Sequence, residues 1–229
     1  MKEFNNIVNK FFSNNYVFTS IDIENDFYSF YLDAKNSGFD LINYDYIVKA
    51  LNSSNLTEIY LNTIKEYNDE LITQIGIHGM SHIIRTSLFL LIISVLERIN
   101  EKDFKLLLES ILYHDVGRVN DIDDEMHGFN STKKISFLKE YYSQEDYNMI
   151  CALITAHCLD DKLYTEVSKY YSIKDDKHFY KLLSIIKDSD ALDRVRDYPY
   201  VDKKFLRTHS SKQLLSFAYE FYNSYEINK

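Results

Sequence analysis

The chain has 229 residues, is 45% hydrophobic and carries a formal net charge of −9. That length and apolar share support one large domain, or a domain with appendages, built on a buried core. The acidic balance argues against broad binding to duplex nucleic acid or to an anionic membrane, while leaving room for a local basic pocket.

Only 5 Gly and 1 Pro occur, too few turn breakers for a sandwich of short strands, so the predicted fold class is all-α. Residues 22–35 place Ile23, Phe27, Phe30, Tyr31 and Ala34 at helical spacing, and Asn36-Ser37-Gly38 stops the pattern. Residues 55–74 repeat it through Leu56, Ile59, Tyr60, Ile64, Tyr67 and Leu71. Neither stretch holds a catalytic constellation. Residues 1–75 therefore read as an N-terminal helical layer and 76–229 as the functional domain, the two forming one compact unit. The aromatic-rich N-terminal helices fit core packing and are also a candidate homodimer face.

Further helices are predicted over 80–99, 103–113, 128–142, 144–158, 177–193 and 211–225, with Ser210 or Ser211 as N-cap of the last. The loop 117–125 is polar and holds Asp121, Asp123, Asp124 and Glu125. Pro199 marks a turn between Tyr198 and Tyr200. The apolar run 88–95 is interrupted by Ser94 and is too short to cross a bilayer, so it reads as a buried helix. The opening MKEFNNIVNKFF has neither the long apolar run nor the small-residue cleavage site of a signal peptide, and a cytoplasmic location is expected. Cys151 and Cys158 lie seven apart. On one helix their Cα atoms would be about 10 Å apart, from the rise per residue, too far for a disulfide. Free thiols fit a reducing compartment. Neither cysteine shows a base partner in the sequence, and no Gly-rich phosphate loop or nucleophilic serine elbow is present.

Single metal-binding residues are strung along these helices: His82, His114-Asp115, His127, His157 and Asp190. Four imidazoles and two carboxylates suffice for two divalent ions. Most of the gaps between them are about thirty residues, which brings one ligand from each of several antiparallel helices, as in bundle metal sites. His78 lies four residues before His82 and would share its face on a helix, as a ligand, a substrate contact or a general acid. Arg118, three residues after Asp115, would set a guanidinium beside the ions, where it suits bidentate contact with phosphate. Arg85 and Arg194 each lie one turn from a ligand, and with Lys133 they are further candidates for substrate binding; Lys134 is a weaker one. Asp193 is placed to orient Arg194 or a ligand histidine. His178 and His209 fit no pattern and read as surface residues.

Three pieces, His82-Ile-Ile-Arg85, His114-Asp-Val-Gly-Arg118 and Asp188-Ser-Asp190-Ala-Leu-Asp193-Arg194, resemble the HD superfamily of metal-dependent phosphohydrolases. The resemblance covers about residues 76–215. It implies an HD-type helical bundle in which His82, His114, Asp115 and Asp190 bind metal. His127-Gly128 and His157 resemble the extra ligands of the two-metal branch. The fuller His78-Gly-Met-Ser-His82 motif, with the acidic loop before His127-Gly128, resembles a bacterial subgroup. The implied activity is hydrolysis of a small phosphorylated molecule, a nucleotide or cyclic nucleotide, with Asp115, Arg118 and His78 in catalytic roles. The implied cofactors are two divalent ions, iron or manganese, or else zinc, cobalt, nickel or magnesium. Two other readings share the ligand set: the di-iron oxygenases of the same superfamily, and a metal-containing module that binds a nucleotide without turnover.

Overall fold

A computed structural model of the chain describes residues 44–67, 71, 77–122, 124–197 and 203–226. Among these residues lie ten α-helices and several 3-10 turns, with no strand. The helix expected over 22–35 and the Pro199 turn lie outside the described residues. The helices are α1 (Tyr44–Asn52), α2 (Asn55–Glu66), α3 (Met80–Leu96), α4 (Glu101–Tyr113), α5 (His127–Lys134), α6 (Gln144–Ala156), α7 (Tyr164–Tyr170), α8 (Asp176–Leu192), α9 (His209–Gln213) and α10 (Leu215–Glu226).

Helix α3 is the central rod because its sequence is apolar on every face. All residues from His82 to Ser94 are buried, the pattern of a helix with neighbours all round. It packs against α4 and α8, with α1 and α2 on a further side. The aromatic pairs Phe89–Phe221 and Phe89–Phe217, at 5.9 and 6.5 Å between centroids, fix α10 on it. Each such buried side chain contributes about 1.5–3 kcal/mol. Two buried hydroxyls tie α2 and the segment after it to this core. Tyr60 pairs with Ser87 at 3.0 Å, and Tyr67 donates to the Leu112 carbonyl at 2.8 Å. No described helix is long and apolar enough to cross a membrane.

Helix starts follow ordinary capping. Ser54, Asn100, Ser143, Asp175 and Thr208 each accept from a backbone N–H in the first turn, worth about 1 kcal/mol apiece. Thr208 caps α9, upstream of the Ser210 or Ser211 expected from sequence. Ends depart further. The helix predicted to Ile99 closes at Leu96, because Arg98 takes a left-handed φ of 54° and Ile99 N–H returns to the Ser94 carbonyl at 2.9 Å. Ser172, at φ 58°, closes α7 in the same way. This is a closure usually made with glycine. The single helix expected over 128–142 breaks at Ile135 into α5 and a 3-10 turn, Ser136–Glu140. That expected over 211–225 divides at Leu214 into α9 and α10.

Two glycines permit the close approaches on which the site depends. A Cβ on Gly117 would lie 2.3 Å from both the His127 carbonyl oxygen and the Ser131 amide nitrogen. One on Gly128 would lie 2.4 Å from the Ile154 carbonyl oxygen. The turn after α4 therefore presses on α5, and α5 presses on α6. Ser131 locks the first contact, since its hydroxyl accepts from Gly117 N–H at 2.8 Å and lies 2.6 Å from the His114 carbonyl. Gly117→Ala is expected to cost about 3 kcal/mol, because the crowding atoms are backbone and cannot swing aside. Urea unfolding checks this, and an unchanged midpoint would show that the approach of α5 to the His114-Asp115 turn is not tight.

Candidate metal centre

All six predicted ligands meet at one end of the bundle. His82 sits in the first turn of α3, His114 and Asp115 directly follow α4, and His127 opens α5. His157 follows α6, and Asp190 lies in the last turn of α8. The four imidazoles and Asp115 are buried, while Asp190 is partly open to a cavity.

Local structure decides which ring nitrogen faces inward. His114 and His157 cap α4 and α6, where last-turn carbonyls lack intrahelical partners. Their Nδ1 atoms lie 2.6 Å from the Ile111 and Ile154 carbonyls. His127 Nδ1 pairs likewise with the Asp124 carbonyl. A carbonyl only accepts, so each Nδ1 carries the proton. His82 Nδ1 lies 2.7 Å from Asp193 Oδ2, with the same outcome. Every Nε2 is thereby turned to the centre.

There the atoms form two groups that share Asp115. His82 Nε2 is 3.1 Å from His114 Nε2 and 3.3 Å from Asp190 Oδ1, and both rings are 3.5 Å from Asp115 Oδ2. On the other side, His127 and His157 Nε2 are 2.9 Å apart, at 3.1 and 3.6 Å from Asp115 Oδ1. One carboxylate thus turns one oxygen to each pair of imidazoles. Ligand atoms about 2.1 Å from a common ion stand about 3.0–3.4 Å apart, so these spacings fit the edges of two coordination shells.

Without an ion each group holds a proton in its place. Burial alone would discharge His82, but Asp190 and Asp193 outweigh it and hold its pKa at about 9. Burial also opposes charge on His127, yet Asp115 and Cys158 raise it to about 10. His114, sealed off from water, falls to about 4 against the pull of Asp115. Asp115 and Asp190 stay ionised, since their histidine partners more than offset burial.

Around this centre the structure distributes the remaining candidates differently. Asp193, fully buried, accepts from Arg85 and Arg196 as well as His82, so it orients the ligand histidine, while Arg194 is exposed. Arg85, expected to touch substrate, is 2% exposed and lies behind the ligands between Asp193 and the Tyr222 ring. Lys133, also expected at the substrate, stands on the exposed face of α5, over Phe129 and bonded to Asn130. His78 pairs with Asp121 at 2.8 Å and its ring meets that of His82 edge-on at 5.6 Å, outside both ligand groups. Arg118 reaches Asp115 Oδ1 with Nε at 3.0 Å and lines the cavity, as does Arg194. His178 is no bare surface residue but binds Asp103 at 3.0 Å, tying α8 to α4.

The cavity measures about 530 Å³ and brings in Lys187, Arg207 and Cys158, none of them a site candidate from the sequence. Lys187, one turn before Asp190 on α8, donates to the Leu159 carbonyl and, at 2.6 Å, to Asp161. Arg207 grips Asp161 with two 2.9 Å bonds. Cys158 lies beside His127 and His157. Burial would raise its thiol, but those two rings bring it down to about 7. A base partner thus exists in space that the sequence did not reveal. Helical spacing from Asp190 was the available signal for Lys187, and direct succession to His157 was that for Cys158.

No family model matches the chain, and no curated protein or solved structure matches it significantly.

An ion entering either group must displace the proton held on His82 or His127. Below about pH 9 its affinity should therefore rise with pH, by up to about tenfold per unit for each proton released. Manganese titrations of chelator-stripped protein at about pH 6.5 and about pH 8 are expected to show tighter binding at the higher pH. Equal affinities would mean that these imidazoles do not take up the ion.

Proposed function

We propose that the chain is an HD-type metal-dependent phosphohydrolase acting on a small phosphorylated molecule, a nucleotide or cyclic nucleotide. The observation that carries the reading is Asp115, whose two oxygens face separate pairs of inward-turned imidazoles. Ions held there would supply Lewis-acid polarisation of a phosphoryl oxygen and a water activated for attack.

The chain's own residues do the rest. Asp115 keeps the two ligand groups in register. His82 and His114 with Asp190 would hold one ion, His127 and His157 the other. Arg118, anchored on Asp115 at the cavity wall, is placed to neutralise charge that develops on a phosphoryl group. Arg194 on the same wall offers a second cation. These guanidinium groups favour an anionic phosphoryl substrate over the oxygenase reading. A cavity of about 530 Å³ suits a nucleotide-sized ligand, and the net charge of −9 disfavours long polynucleotides.

The test is phosphate release from a panel of nucleoside monophosphates and cyclic nucleotides by manganese- or iron-loaded protein. Asp115→Ala is expected to abolish turnover and metal retention together while leaving helical circular dichroism intact. Full activity in that variant would overturn the assignment. Arg118→Ala is expected to retain metal and lose about 10²–10³-fold in kcat/KM.

A further inference from the structure

We propose that the ligand group built on His127 and His157 is a mixed nitrogen–sulfur site, with the thiolate of Cys158 bound to the same ion. The inference rests on the metal-binding reading above and adds the identity of one ligand and the class of metal it selects.

Cys158 follows His157 directly where α6 ends, half-buried on the cavity wall. One ring nitrogen of His127, one of His157 and Cys158 Sγ all lie within 4.8 Å of one another. Around a tetrahedral ion with bonds of about 2.1 Å to nitrogen and about 2.3 Å to sulfur, these atoms stand about 3.6 Å apart. A shift of the sulfur by about an ångström at most reaches that geometry. Sγ already meets the His127 ring and the Gly128 backbone. Its hydrogen-bond acceptors are the Glu125 and Thr155 carbonyls, at 3.4 and 3.7 Å, and a thiol is a weak donor. Gly128 keeps the space open, since a Cβ there would sit 3.2 Å from Sγ.

The other half of the centre has no sulfur. His82, His114 and Asp190 with Asp115 Oδ2 form a nitrogen–oxygen set, harder than a thiolate site and open to manganese as well as to iron or zinc. A thiolate shifts preference towards zinc, iron and cobalt. The two halves therefore select differently, and the sulfur-bearing half holds the softer ion. On binding, the thiol proton passes to solvent as the sulfur–metal bond forms, and the metal keeps its oxidation state.

Cobalt(II) added to the chelator-stripped full chain reads this directly. Thiolate ligation gives an intense near-ultraviolet charge-transfer band that imidazole and carboxylate do not produce. The chain has two cysteines, and Cys151 is buried near Tyr147, farther back along α6. The wild type and Cys151→Ser are expected to bind two cobalt ions per chain and show the band. Cys158→Ser is expected to lose the band, still take up cobalt at the other half, and retain zinc about tenfold or more weakly. Two bound cobalt ions without the band in the wild type would overturn the proposal and leave the metal reading standing. Persistence of the band in Cys158→Ser would overturn it equally. No cobalt uptake by the wild type would overturn the metal reading, and this inference with it.

Discussion

Two pairs of imidazole nitrogens, 3.1 and 2.9 Å apart and nearly sealed from water, require positive charge in their midst. Lone pairs at that distance repel, and the buried carboxylate of Asp115 between them, paired otherwise with Arg118, draws positive charge to the same place. Protons on His82 and His127 meet the need in one way and metal ions in another. Either way the geometry gives one carboxylate room for a positive charge on each of its two oxygens. The surrounding structure serves to keep its six donors from relaxing apart.

Helix ends provide that rigidity. The C-termini of α4 and α6 both stop at the cluster, and their unpaired carbonyls carry partial negative charge that favours cations nearby. His114 and His157 use those carbonyls twice over: the hydrogen bond satisfies the helix end and turns Nε2 inward. A histidine one residue earlier or later would not reach the same acceptor. Ser131 and the two glycines then clamp α5 so that His127 completes the second pair. The site is thus specified by how helices stop as much as by which residues bind.

Much of this was legible in the amino-acid sequence, and the reasons differ by element. Helix α3 announces itself through an apolar run with no polar face. The candidate ligands stand out because single histidines recur at intervals of mostly about thirty residues along helical segments. What escaped notice depended on tertiary context. Arg98 and Ser172 close helices in a conformation that glycine usually signals, so two ends carried no mark. The break at Ile135 and the short helix α7 leave no interruption in composition. Arg85 sits one turn from His82 in sequence, yet that turn points it away from the cavity, to Asp193 and Tyr222. Cys158 and Lys187 join the cavity because α6 and α8 converge there, a fact of packing that spacing within either helix does not contain.

The pair Asp190 and Asp193 shows how three residues separate binding from positioning. Both carboxylates act on His82, but from opposite nitrogens: Asp190 on Nε2 at 3.3 Å, Asp193 on Nδ1 at 2.7 Å. Asp190 opens onto the cavity and has its oxygen within the first ligand group. Asp193 is sealed off, its oxygens occupied by Arg85, Arg196 and the imidazole N–H. An ion arriving at His82 would take the place of the proton that Asp190 faces, and would leave the Asp193 bond untouched. The ring therefore keeps its orientation whether the cluster holds protons or metal. Preorganisation of this kind lowers the cost of binding, because the ligand need not be reoriented when the ion arrives. Arg85 and Arg196 make it possible, since without them the Asp193 carboxylate would be a buried charge balanced by His82 alone, and its field would hold the Nε2 proton on that ring more tightly against an incoming ion.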